Sequence, residues 1–92
     1  MKITPTIENI SERLNEKLKP VLLEVFDESE QHRGHVGAND TGFGTHFRVR
    51  ITATCFIGKP LISRHRLVYD ALQDFIDQGL HAIAIEAKLP NL

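Results

Sequence analysis

The sequence has no tryptophan and only one cysteine, one methionine and one tyrosine. A single cysteine cannot form an internal disulfide, which fits a reducing compartment. No apolar run approaches the ~20 residues that a membrane-spanning helix needs. The first residues also lack the apolar stretch and cleavage site of a signal peptide. We therefore expect a cytoplasmic protein that makes no membrane contact.

The chain also has little net charge, although its charges are unevenly distributed. Its 92 residues fit one domain, and a hydrophobic fraction of 41% with 25% charged residues is ordinary for a globular protein. Residues 31–69 carry six basic side chains and one acidic one, whereas the remainder carries five basic and eleven acidic ones, so the formal total is −1. A basic middle region can bind an anionic partner, or it can be an ordinary solvated surface.

The spacing of apolar residues predicts the element order αββαβ. The first helix is predicted to be capped by Thr4 and ended by Pro20, because a residue that precedes proline avoids the helical region. A second helix is predicted to be capped by Ser63 and stopped by Gly79. The predicted strands are Val21–Asp27, His46–Phe56 and His81–Leu89. Together these elements predict an α+β domain, with a three-stranded mixed sheet and helices packed on one of its faces.

Strand periodicity leaves few candidates for catalysis. Cys55 falls on the same strand face as Phe47, Val49 and Ile51, which predicts a buried and unreactive thiol. No serine lies at a strand–turn–helix nucleophile elbow, and most carboxylates fall on helix faces. The run Gly34–Gly37 has the letters of a GxxG loop, but it lies between strands rather than between helices. We therefore expect a binding protein and not an enzyme.

Histidine is the enriched residue type, with five in the chain. His32 and His35 fall in a long glycine-rich loop, 28–45, where the backbone can approach a ligand closely. His81 opens the last predicted strand in register with its core residues, so it is either a hydrogen-bonded core histidine or a metal ligand. His46 and His65 are expected at the surface. One or two histidines make an incomplete metal site, so a partner would supply the remaining ligands.

Several segments in a fixed order resemble the BolA family over roughly residues 7 to 90. They are Leu22-Leu23-Glu24-Val25, Asp27-Glu28-Ser29, Gly34-His35, Thr45-His46-Phe47-Arg48-Val49, Arg64-His65-Arg66-Leu67-Val68-Tyr69 and Gly79-Leu80-His81-Ala82-Ile83-Ala84-Ile85. No segment is distinctive alone, but the ordered set is specific. The resemblance implies a class II KH-like fold, in agreement with the predicted element order.

The same resemblance implies a heterodimer with a monothiol glutaredoxin that shares a 2Fe-2S cluster. In such complexes the glutaredoxin contributes its active-site cysteine and a bound glutathione, and the BolA-like chain contributes the other ligands. The family's ligand histidine corresponds to His81, and a second ligand in the loop corresponds to His32, with His35 as the alternative. Histidine in place of cysteine raises a cluster's reduction potential and makes its binding sensitive to pH.

The resemblance also implies an alternative function, that of a DNA-binding regulator of stress response and cell morphology. Arg64, His65 and Arg66 would then contact nucleic acid. The chain lacks a correctly placed GxxG loop and an exposed aromatic platform, which argues against binding of single-stranded RNA. Without a strong positive charge, its nonspecific affinity for duplex DNA should be modest. The same basic residues can instead receive carboxylates of glutaredoxin or glutathione. The free chain is expected to be a monomer or a weak homodimer.

Overall fold

The computed structural model describes residues 5–28, 46–80 and 82–90. The elements are α1 (Ile7–Leu18), β1 (Leu22–Asp27), β2 (His46–Thr52), a 3₁₀ turn (Thr54–Phe56), α2 (Leu61–Ala71), α3 (Gln73–Asp77) and β3 (Ala82–Lys88). The predicted αββαβ order is confirmed, although the second helix is divided in two. Most of the predicted long loop lies outside the described residues. In the described part of the chain, no helix is both long and apolar enough to cross a membrane.

The first helix is capped by Thr6, and the prediction of Thr4 as its cap was wrong. Thr6 is extended, with φ −133° and ψ 162°, and its side-chain oxygen accepts a hydrogen bond from the Asn9 backbone N–H at 3.0 Å. Helix α1 ends at Leu18, and Lys19 takes a left-handed conformation with φ 47°. The predicted end before Pro20 is therefore confirmed.

We expect Thr6→Ala to lower the free energy of unfolding by about 1 kcal/mol, because it removes this cap. Thr6→Ser keeps the hydroxyl group and should stay close to wild type. Urea denaturation followed by far-ultraviolet circular dichroism measures both variants. Equal stability of the alanine and serine variants would show that the cap contributes nothing.

The second helix begins earlier than predicted and is interrupted. Pro60 occupies the N-cap position, and Ser63 lies inside the helix, donating its backbone N–H to the Pro60 carbonyl at 3.0 Å. Leu72 leaves helical geometry, with φ −108° and ψ 12°, and separates α2 from α3. Leu72 and Phe75 are both buried, so the helical spacing of apolar residues continues across the interruption. The sequence pattern therefore did not predict the interruption. Gly79, with φ 119°, follows α3 as the predicted stop.

The three described strands form one mixed sheet in the order β1-β2-β3. Strands β1 and β2 are antiparallel, and β2 and β3 are parallel. The register aligns Val25, Val49 and Ile85 across the sheet. The three residues lie on the face that packs against the helices, as the alternation predicted. The opposite face, which we call the open face, is exposed at Leu22 and Arg50.

The core lies between this sheet and the helices. Its fully buried large side chains are Phe47, Phe56, Phe75, Ile10, Leu14, Ile51, Leu72, Val49 and Val68. Cys55 was wrongly predicted to lie in strand β2, because the strand ends at Thr52 and the chain turns into the 3₁₀ helix. Cys55 is half-buried and packs against the core, so its apolar environment is preserved in part.

An ion pair joins α1 to α3 at the edge of this core. The Arg13 guanidinium donates to both carboxylate oxygens of Asp74, with Nη2 to Oδ2 at 2.8 Å, and also to the Ala71 carbonyl at 3.0 Å. Its charged carbon lies 4.9 Å from the centre of the Phe75 ring. The hydrogen bond from Arg13 lowers the pKa of Asp74 below its ordinary value of 3.8.

Candidate functional site

The three histidines predicted as metal ligands, His32, His35 and His81, lie outside the described residues. The residues that flank them in the chain are described. Glu28 ends the described segment before the loop, and His46 begins the segment after it. The backbone N–H of Glu28 donates to the carbonyl oxygen of His46 at 2.8 Å. The two residues that border segment 29–45, Glu28 and His46, are therefore joined at one end of the sheet.

The first residue of β3 lies at the same end. Ala82 is the register partner of His46 in the parallel pair β2-β3, and neighbouring strands lie about 4.8 Å apart. Position 81 directly precedes Ala82 in the chain. We call this region the loop end of the sheet and define it by Glu28, His46 and Ala82. The described residues that border both histidine-bearing segments therefore lie together at the loop end.

Two clefts adjoin the loop end. One has a volume of about 240 Å³ and is lined by Glu28, His46, Phe47, Arg48, Ala82, Ile83 and Ala84. The other, of about 260 Å³, is lined by Tyr69, Ile76, Leu80, Ala82 and Ile83. Leu80 and Ala82, which are the two chain neighbours of position 81, both line the second cleft.

Two arginines on the open face are neutralised by carboxylates. Arg48 pairs with Glu28 at 3.0 Å and with Glu86 at 3.6 Å. Arg50 donates to Glu86 at 3.0 Å, and this hydrogen bond lowers the pKa of Glu86. The basic character that the sequence assigned to residues 31–69 therefore does not extend over this face. Sequence reasoning could not find these pairs, because Glu86 lies on a different strand from both arginines.

The three α2 residues predicted to contact a partner have different environments. Arg64 donates to the Lys59 carbonyl at 2.9 Å and to the Ala87 carbonyl at 3.2 Å, so it joins the start of α2 to the end of β3. His65 and Arg66 line a surface groove together with Ile62 and Tyr69. The structure thus gives Arg64 a structural role and leaves His65 and Arg66 beside open space. Their predicted contact with a partner stays a prediction.

Sequence reasoning did not select Tyr69 as a site residue. Its hydroxyl group donates to the Ile83 carbonyl at 3.4 Å, and its ring lines both the α2 groove and the cleft at the loop end. A signal was available, since Ile62, Arg66 and Tyr69 are spaced by four and three residues and therefore share one helix face. Sequence reasoning selected Arg66 on this face as a candidate contact residue but did not extend the selection to Tyr69.

The single cysteine of the chain lies away from the loop end. Cys55 follows the far end of β2, about 20 Å along the strand from His46, and its Sγ lies 3.9 Å from the Leu18 carbonyl oxygen. Within residues 5–28, 46–80 and 82–90, no three His, Cys, Asp or Glu side chains are grouped as a metal site. The described residues thus contribute no thiolate to this end, and the predicted ligands on this chain are all histidines.

The model of the BolA-like protein family matches residues 14–91. The match covers most of the chain, and the chain therefore belongs to the BolA-like family. The predicted family and α+β fold are confirmed, whereas the class II KH-like assignment stays a prediction.

Two relatives and one solved structure illustrate the range of the family. "SufE-like protein 1, chloroplastic/mitochondrial" of Arabidopsis thaliana is 52% identical over 85 residues, which are 88% of this chain but only 23% of that protein. "DNA-binding transcriptional regulator BolA" of Escherichia coli is 35% identical over 78 residues, covering 85% of this chain and 70% of the relative. The solved BolA domain of SufE1 from Arabidopsis thaliana superposes with a TM-score of 0.81 at 49% identity, covering 91% of each chain. The chain therefore spans only about a quarter of the first relative.

Proposed function

We propose that this chain is a non-enzymatic accessory protein that pairs with a monothiol glutaredoxin and shares a 2Fe-2S cluster with it. The proposed role lies in the assembly or trafficking of iron–sulfur clusters or in iron sensing. The proposal combines membership of the BolA-like family with the positions of the described residues that flank the histidine-bearing segments. The proposed ligands from this chain are His81 and one loop histidine, His32 or His35.

The proposal is supported most directly by the described residues that border the histidine-bearing segments, because these residues lie close together. The ends of the loop that carries His32 and His35 are joined by the hydrogen bond from Glu28 to His46, and Ala82 is the register partner of His46. Two segments that are far apart in sequence are therefore anchored at one end of the sheet. Two ligands of one cluster need such an arrangement, and incidental surface histidines do not.

The available donors also fit a shared cluster better than a cluster held by this chain alone. A 2Fe-2S cluster has four protein ligands in its usual form, and this chain has one cysteine, which lies at the opposite end of β2. The partner would therefore supply the thiolates, from its active-site cysteine and from glutathione. When bound, such a cluster supplies one-electron chemistry and can be passed to an acceptor protein. The imidazoles of this chain must be neutral to bind it.

Mixing the chain with a reconstituted monothiol glutaredoxin tests the proposal. We expect a changed visible circular dichroism spectrum and a heterodimer by native mass spectrometry. His81→Ala should abolish the change, and only one of His32→Ala and His35→Ala should do so. His65→Ala is the matched control and should keep the spectrum at saturation, because His65 lies on α2. An unchanged glutaredoxin spectrum with no heterodimer would contradict the proposal.

The DNA-binding alternative has the name of the Escherichia coli relative in its favour. The described surface supports it less well, because Arg48 and Arg50 are paired with carboxylates and Arg64 is bound to two backbone carbonyls. Nonspecific affinity for duplex DNA depends on several cations that are available to phosphates. We therefore favour cluster sharing as the function of this chain.

A further inference from the structure

The two outer strands of the sheet, β1 and β3, differ in what contacts their backbone. Strand β3 receives hydrogen bonds from two side chains of α2. The hydroxyl group of Tyr69 donates to the Ile83 carbonyl at 3.4 Å, and Nη1 of Arg64 donates to the Ala87 carbonyl at 3.2 Å. Side chains that occupy the backbone of an outer strand disfavour its pairing with another chain. Strand β3 is therefore protected in part by α2.

The backbone of β1 points away from the sheet at every second residue. Glu28 donates its backbone N–H to the His46 carbonyl, which makes these two residues a hydrogen-bonded pair of the antiparallel ladder. Hydrogen-bonded pairs alternate with non-bonded ones, so the N–H and C=O groups of Leu23, Val25 and Asp27 point outward. In the described ranges no side chain is hydrogen-bonded to Leu23 or Val25. Strand β1 therefore presents an edge to which another strand can bond.

A second copy of β1 matches this edge when the two strands run antiparallel about Val25. Val25 then lies opposite the second copy's Val25, and Leu23 lies opposite the second copy's Asp27. Each of these pairs has outward backbone groups on both strands, so the pairs exchange hydrogen bonds across a two-fold axis. The axis is perpendicular to the sheet, so the helices of both copies lie on one side and the two open faces on the other. Strand β1 is therefore self-complementary in its backbone.

Side chains of the open face favour this register over its neighbours. It places the exposed Glu24 opposite the second copy's Phe26, whose ring centre lies 5.4 Å from the guanidinium carbon of Arg50 in the same copy. Glu24 thus lies beside a cation of the second copy. Leu22, which is 67% exposed, is a diagonal neighbour of the second copy's Phe26. A shift by two residues would place Glu24 opposite the second copy's Glu24 or Glu28, and like charges directly opposite each other are destabilising.

We propose that the free chain forms a weak homodimer in which the β1 strands of two copies pair antiparallel and join their three-stranded sheets into one. A second copy fits this edge because it supplies both the same outward backbone pattern and the compensating charges of Glu24 and Arg50. The pairing uses one short strand from each copy, so the interface is small and the dimer dissociates on dilution. No proposed cluster ligand takes part, and the inference is therefore independent of the proposed function.

Amide hydrogen exchange of the free chain, measured by nuclear magnetic resonance at several protein concentrations, tests the pairing. The N–H groups of Leu23 and Val25 should exchange more slowly as the concentration rises, whereas those of Glu24 and Phe26, which point toward β2, should be protected at every concentration. Sedimentation equilibrium gives the dissociation constant. Exchange at Leu23 and Val25 that does not change with concentration, with a monomer up to about 1 mM, would overturn the proposal. A dimer that leaves these two amides unchanged would contradict it as well, because its interface would lie elsewhere.

Charge reversal across the interface gives a second, independent measurement. Glu24→Lys and Arg50→Glu should each raise the dissociation constant about tenfold or more, because each places like charges together in the dimer. A mixture of the two variants should associate more tightly than either variant alone, since the reversed charges then face each other. Glu12→Lys makes the same charge change at an exposed position on α1 and should leave the constant unchanged. Thermal unfolding confirms that the variants are folded, and a mixture that associates no better than its components would refute the register.

Discussion

Phe47→Ala is expected to lower the free energy of unfolding by about 3–5 kcal/mol, because it removes a large buried side chain and leaves a cavity that the surrounding side chains fill only in part. Phe47 is 2% exposed and lies on β2 between its register partners Asp27 and Ile83. A domain of this size has about 5–15 kcal/mol of stability in total, so the variant would be close to unfolding. Urea denaturation measures the loss as a fall in the midpoint at a similar slope.

Phe26→Ala provides a matched control for this substitution. Phe26 lies on the open face, is 38% exposed, and its ring centre is 5.4 Å from the guanidinium carbon of Arg50. Its replacement should cost about 1 kcal/mol or less, since an exposed cation–π contact contributes only about 0.5–1 kcal/mol. Equal losses for the two phenylalanine variants would show that the two faces of the sheet are not divided into core and surface as described.

Arg13→Ala is expected to lower the free energy of unfolding by about 1–2 kcal/mol at neutral pH. The substitution removes the paired hydrogen bonds to Asp74, the bond to the Ala71 carbonyl and the contact with the Phe75 ring. The expected loss of stability is modest because the Asp74 side chain is 42% exposed and solvent screens its interaction with Arg13. Chemical denaturation of Arg13→Ala, Asp74→Asn and the double variant isolates the coupling between the two side chains.

The contribution of this pair should depend on pH in a defined direction. Because the hydrogen bond from Arg13 lowers the pKa of Asp74 in the folded state, the unfolded chain binds the proton more readily. The stabilisation is therefore fully present above the ordinary value of 3.8 and is lost as pH falls through the folded-state pKa. Wild type and Asp74→Asn should thus become more alike in stability as the solution is acidified. A difference that stayed constant down to that range would exclude ionisation of Asp74 as its cause.

The sequence alone determined the elements and the two faces of each strand. Strand alternation is a local property, because successive side chains point to opposite faces whatever the strand pairs with. It therefore assigned Val49 and Ile85 to inward strand faces before their register was known. Apolar spacing likewise identified both helical segments. The caps at Thr6 and Pro60 were missed because several neighbouring residues could start each helix equally well.

The order of the strands, the convergence of the loop ends and the pairing of charges were decided only by the tertiary structure. The charge pattern made residues 31–69 look basic, yet Glu28, which follows β1, and Glu86 on β3 neutralise Arg48 and Arg50. Such pairs depend on register between segments that are distant in sequence, and local patterns carry no information about it. For the same reason, the sequence identified the histidines of a proposed site, but only the pairing of His46 with Ala82 showed that residues bordering the histidine-bearing segments lie at one end of the sheet.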